Sequence, residues 1–155
     1  MSHVAIVDHV IDVAALQAIV SGPDAGAVSL FVGMVRDTNA GREVTGIEYS
    51  AYGPMALREL ATIAAEVERE FNGTRVAVEH RVGTLKIGEA SVAVAVAHGH
   101  RNMAIDGCRQ VIEELKRRAP IWKCEHYVDG TREWVHAGTG VAAPIGAAAA
   151  AEDAR

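Results

Sequence analysis

The chain has 155 residues, half of them hydrophobic and 23% charged, with a net charge of -5. That suits one domain with a real core and excludes a sequence-independent nucleic-acid binder, so an anionic ligand must be met by a local basic cluster. No run approaches the ~20 apolar residues of a membrane span, the N-terminus lacks the basic segment of a signal peptide, and two cysteines at no metal-binding spacing suit a reduced, cytoplasmic setting.

In chain order, a short strand around His3–Val7 leads to a helix capped by Asp12. After the break at "GPDAG", "AVSLFVGMVRD" is a nearly continuous apolar run, which predicts a buried central strand ending at Arg36. "TNAG" has hairpin chemistry and "EVTGIEYSAY" is the returning strand. Pro54 opens an amphipathic helix with Leu57, Leu60, Ala64, Val67 and Phe71 on its apolar face. "RVAVEHRVG" alternates, "TLKIGE" reads as a turn-rich connector, and "ASVAVAVAH" alternates again. The alanines between its valines imply that something packs closely on the second face.

A further helix from about His100 to Arg118 carries the stripe Ala104, Cys108, Val111, Ile112 and Leu115. Beyond Pro120 come the strand "IWKCEHYV", a "DG" turn and the short strand "REWVH". Residues 1–137 are expected to form the domain, and 138–155 an Ala/Gly-rich tail that is mobile or a frayed helix. The order β α β β α β β α β β implies a single α+β domain: a largely antiparallel mixed sheet packed by two or three helices.

Several chemistries compete on the residues alone. There is no P-loop, "GTGVAA" lacks the strand–helix context of a dinucleotide site, and no G-x-S-x-G elbow occurs. His98 and His100 could hold a metal with His80 or His126; the alternative is that they close a strand and start a helix. Cys124 could be a nucleophile with His126 or His100 as its base, aided by Lys123. On an alternating strand, however, Lys123 and Cys124 face opposite ways, which favours a buried inert thiol. The basic residues suggest more. Lys116 falls at the border of its helix's apolar stripe, Lys123 stands among apolar neighbours past a proline, and His100 and Arg101 open a helix whose N–H groups favour anions. These point to a pocket for a phosphorylated or carboxylated small molecule, with a lysine as acid/base or nucleophile.

The segments "FVGMVRD", "IEYSAYGPMALREL", "HRVGTLKIGEASVAVAVAHGHR" and "LKRRAPIWKCE" resemble, in order from about Val28 to Val135, the large catalytic subunit of molybdopterin synthase. The resemblance implies an α/β-hammerhead-like fold and no cofactor or metal of its own. It also implies sulfur transfer from the C-terminal glycine thiocarboxylate of a small ubiquitin-like partner to cyclic pyranopterin monophosphate, within a heterotetramer built on a homodimer. Carried over position by position, Lys116 and Lys123 match the family's active-site lysines. Arg36, His100 and Arg101 match its substrate-anion residues, and Phe31 and Glu125 match pocket positions. Cys124 stands where the family often has a basic residue. The segment after Trp134 lacks an arginine that some members contribute to the neighbouring subunit's pocket, leaving His136 as the candidate substitute. The alternatives remaining are a Cys124-dependent thiol enzyme and a non-catalytic scaffold for a ubiquitin-like tail.

Overall fold

In this computed structural model residues 2–142 are described, and the chain runs β1 (His3–Val7), α1 (Val13–Val20), β2 (Ala27–Met34), β3 (Thr38–Asn39), β4 (Arg42–Ala51), α2 (Gly53–Glu70), β5 (Arg75–Arg81), β6 (Gly83–Lys86), β7 (Ala90–His98), α3 (Arg101–Arg118), β8 (Ile121–Tyr127) and β9 (Trp134–His136). Residues 143–155, most of the expected tail, lie outside the described residues. No described helix is long and apolar enough to cross a membrane.

Strand β7 organises the core because both of its faces are covered. Val92, Val94 and Val96 point to one side and Ala93, Ala95 and Ala97 to the other, all fully buried. The alanine face is shallow, so α1 lies close against it through Leu16 and Val20. Asp12 starts that helix by accepting from the Ala15 N–H at 3.0 Å. The valine face packs against α2 and α3, through Leu60, Ile63, Ala64 and Val67 of one and Cys108, Val111 and Leu115 of the other. Complete burial of a side chain such as Leu60 contributes about 1.5–3 kcal/mol.

The strands divide into two sheets. The first has the order β1-β5-β7-β2, with only β1 and β5 parallel. The second has the order β3-β4-β8-β9, with β6 also paired to β4. The expected α+β class with largely antiparallel pairing therefore holds, and three expectations about individual elements change. The apolar run ending at Arg36 is not a central strand. Among the described residues β2 is the outer strand of its sheet, paired only to β7, and it leaves Leu30, Phe31 and Met34 exposed. Unbroken hydrophobicity cannot distinguish a strand flanked on both sides from an apolar edge. "TLKIGE" is more than a connector, since its first half is β6 and pairs with Gly46–Tyr49 of β4. On α2, Leu57 is exposed and Ile63 takes a place in the core.

Candidate active site

Two lysines meet in a cleft between the sheets. Lys116 lies in the last turn of α3, whose C-cap Ala119 precedes Pro120 and the start of β8, and Lys123 stands on β8 itself. Both line a cavity of about 170 Å³ with Phe31 of β2, Arg36 just beyond it, and Glu125 of β8. Pairing of β4 with β8 sets Tyr49 opposite Lys123 and Ile47 opposite Glu125, and both β4 residues join the wall. Alternation explains why Lys123 and Glu125 share the cleft, whereas Cys124 between them lines no part of it and is 3% exposed. The position of Lys116 is also constrained from behind. A Cβ on Gly138 would lie 1.6 Å from the Lys116 carbonyl oxygen, so only glycine allows the chain after β9 to pass there.

The cleft's electrostatics follow from burial and like charge. Burial, and then the Lys123 ammonium, push the Lys116 amine below its ordinary value of 10.5. Burial raises the Tyr49 hydroxyl, partly opposed by the neighbouring Ser91 hydroxyl. His80 stacks edge-on against Tyr49 with ring centroids 5.1 Å apart. Its ring is fully enclosed, and burial followed by the charge of Lys116 lowers its pKa to about 4. Neutral His80 therefore donates from Nδ1 to the Arg81 carbonyl at 2.9 Å, and its buried Nε2 has no hydrogen-bond partner among the described residues.

Glu125 is held from the other side. Its Oε2 accepts from the Asn39 side-chain amide and, at 3.1 Å, from the Tyr127 hydroxyl. Its Oε1 lies 3.9 Å from Lys123 Nζ. A second cavity of about 240 Å³, lined by Asn39, Arg42, Tyr127 and Thr131 among others, meets the first at Lys123 and Glu125.

Of the seven expected site residues, the fold brings five together: Phe31, Arg36, Lys116, Lys123 and Glu125. His100 and Arg101 stand at the opposite end of α3. At ~1.5 Å rise per residue, roughly 22 Å separates Arg101 from Lys116, so within one chain these residues do not share a ligand. His98 and His100 do what the alternative to a metal site describes. His98 Nδ1 accepts from the His100 N–H at 2.9 Å, and its Nε2 lies 3.2 Å from the Asn72 carbonyl, at the junction of β7 and α3. His136 spends both ring nitrogens on backbone. Nε2 donates to the Ala119 carbonyl at 2.8 Å, and Nδ1 accepts from the Gly138 and Thr139 N–H groups.

Sequence reasoning missed Asn39, Tyr49, Ser91 and Tyr127. Tyr49 had one readable signal, a polar-tipped aromatic at a core-facing strand position. The other three are recognisable only once the strands are paired.

The profile described as "MoaE protein" matches residues 6–118. The chain is 46% identical over 128 residues, 83% of its length and 86% of the relative's, to molybdopterin synthase catalytic subunit 1 of Mycobacterium tuberculosis. It is 48% identical to the molybdopterin synthase catalytic subunit of Synechococcus elongatus, covering 71% of this chain and 67% of that one. Its structure superposes with a TM-score of 0.80 and 35% identity on the crystal structure of molybdopterin synthase from Staphylococcus aureus, covering 83% of this chain and 93% of the other.

Proposed function

The chain belongs to the MoaE protein family, and from that premise we propose that it is the catalytic subunit of a molybdopterin synthase. It takes sulfur from the C-terminal thiocarboxylate of a small ubiquitin-like subunit and places it on cyclic pyranopterin monophosphate, forming the dithiolene in molybdenum cofactor biosynthesis. The observation that carries this reading is the convergence of Lys116 and Lys123, from a helix and a strand, on one cleft with Arg36. A thiocarboxylate and a cyclic phosphate are both anions, and in this acidic protein three cations line that cleft.

Arg36 holds the phosphate. Lys123 protonates the leaving phosphate oxygen or moves protons at the pterin side chain, and Glu125 beside it fixes the ammonium. Lys116 steers the thiocarboxylate and stabilises charge on the acyl intermediate. Its lowered pKa also gives it more of the neutral amine near pH 7 than an exposed lysine has, which equips it to accept a proton. Because sulfur arrives on the partner, neither buried cysteine takes part.

His100 and Arg101, separated from Lys116 by the length of α3, belong on this reading to a different cleft. In the homodimer at the centre of the heterotetramer, they reach the phosphate bound by the second copy and complete its site. The reaction is placed in the cytoplasm, in keeping with two buried cysteines that form no disulfide.

The test mixes the protein with its thiocarboxylated small subunit and the pterin precursor and follows dithiolene product. Lys123→Ala should abolish product while the two subunits still assemble. Retained turnover in that variant contradicts the role given to Lys123, and assembly without any product from the wild-type protein would favour the scaffold reading.

A further inference from the structure

We infer that Asn39 and Tyr127 are positioning residues for the reaction, acting through Glu125 to hold Lys123 in the cleft. The inference rests on the functional reading above and adds to it two residues that do not line the inner cavity. The Asn39 amide uses both hydrogens, one on Glu125 Oε2 and one on the Tyr127 hydroxyl oxygen at 2.8 Å. The Tyr127 hydroxyl then donates its own hydrogen to the same Glu125 oxygen at 3.1 Å. The triangle is closed, and every donor in it is spent. Glu125 cannot rotate without breaking two hydrogen bonds, so Oε1 stays directed at Lys123 Nζ, 3.9 Å away. A lysine side chain regains rotamer entropy by leaving such a site. A fixed carboxylate opposes that escape, and opposes the repulsion from Lys116, Lys123's cationic neighbour in the cleft.

Two further observations show that the triangle is itself held in place. Arg42 lies over the Tyr127 ring, 3.7 Å from its centroid, and its guanidinium is 3.1 Å from Asp129. Asn39 is set by a tight two-residue turn in which Ala40 has φ 50° and Gly41 has φ 77°. Ala40 is the only non-glycine with positive φ among the described residues. A left-handed alanine is sterically unfavourable, and the chain sustains that cost at the turn that delivers Asn39 to Glu125.

The test is steady-state kinetics of the assembled synthase with varied pterin precursor. Tyr127→Phe keeps the ring beneath Arg42 and removes only the hydroxyl, so it should fold; Asn39→Ala removes both donors. Each should lower kcat about tenfold, the equivalent of one charge-assisted hydrogen bond, with KM changed less than about twofold. Asn39→Asp, which replaces donors with a second carboxylate, should lose more than Asn39→Ala. In a Glu125→Ala background, adding Asn39→Ala should change kcat by less than about twofold, because the residue it acts through is gone. An equal loss in both backgrounds would overturn the inference by showing that Asn39 acts independently of Glu125, as would full kcat in Tyr127→Phe. If Lys123→Ala is inactive while the Asn39 and Tyr127 variants turn over normally, only this inference fails. If Lys123→Ala itself turns over, the functional reading fails first.

Discussion

Two cations at the end of α3, two residues apart, are treated in opposite ways. Arg118 reaches across to α2 and is met by three carboxylates: Glu59 at 2.6 Å, Glu66 at 2.6 Å and Glu114 at 3.2 Å. These partners hold its guanidinium above its ordinary pKa, and the Glu66 carboxyl falls below its own. Lys116 is more deeply buried, has no ion pair among the described residues, and faces a second lysine. A cation kept for stability is given counter-ions, whereas this one is left without them in a cleft, where an anionic ligand can serve as the counter-ion. Charge in the sequence does not separate the two cases, but pairing in the structure does.

The largest effect expected from breaking this contrast is on turnover. Lys116→Ala should reduce product formation about 10²–10⁴-fold, measured with assembled synthase. Lys116→Met should be as inactive yet raise the melting temperature at neutral pH. The sign follows from linkage: the folded amine is depressed below 10.5, so the penalty is full below the folded value and fades as pH rises from there to 10.5, where the unfolded chain still holds a proton the folded chain has released. Removing the amine removes that penalty.

Next in size is His80, which the same cleft keeps neutral. Its folded pKa of about 4 lies below the ordinary 6.5. The unfolded chain therefore takes up the proton first, and stability should fall as pH drops from 6.5 toward 4. The loss is on the order of 3 kcal/mol, read from urea midpoints across that range, and His80→Leu should flatten it.

On the other side of the contrast, Arg118→Met leaves three glutamates close together and partly exposed. The expected cost is about 1–2 kcal/mol, the scale of an exposed ion-pair network, with kcat unchanged within about twofold. Smallest of all, Cys124→Ala should keep activity and cost about 1 kcal/mol for a trimmed core side chain. Loss of turnover in a folded Cys124→Ala protein would revive the thiol-enzyme alternative.

The parts of the fold legible in the sequence were those with an unambiguous period. The Val/Ala alternation of β7 announced a strand covered on both faces, and the stripes of α2 and α3 announced their buried sides, apart from the exchange of Leu57 for Ile63. β2 was misplaced because a purely apolar run carries no period and so says nothing of its neighbours. At the site, Lys116 and Lys123 stood out as cations in apolar surroundings. Asn39 and Tyr127 did not, because their meaning depends on β3 lying beside Glu125 and Tyr127 of β8, a side-chain contact between residues 86 apart in sequence. The distance from His100 and Arg101 to the cleft was readable in principle from the length of α3 alone.

The central claim is that Lys116 and Lys123 form one electrostatic unit. Its most direct test is the titration of Lys116, followed by pH-dependent amine labelling and mass spectrometry in the wild-type protein and in Lys123→Met. Lys116 should titrate below 10.5 in the wild type and shift upward when Lys123 is removed, stopping short of 10.5 because burial persists. Titration at 10.5 in both proteins would contradict the claim.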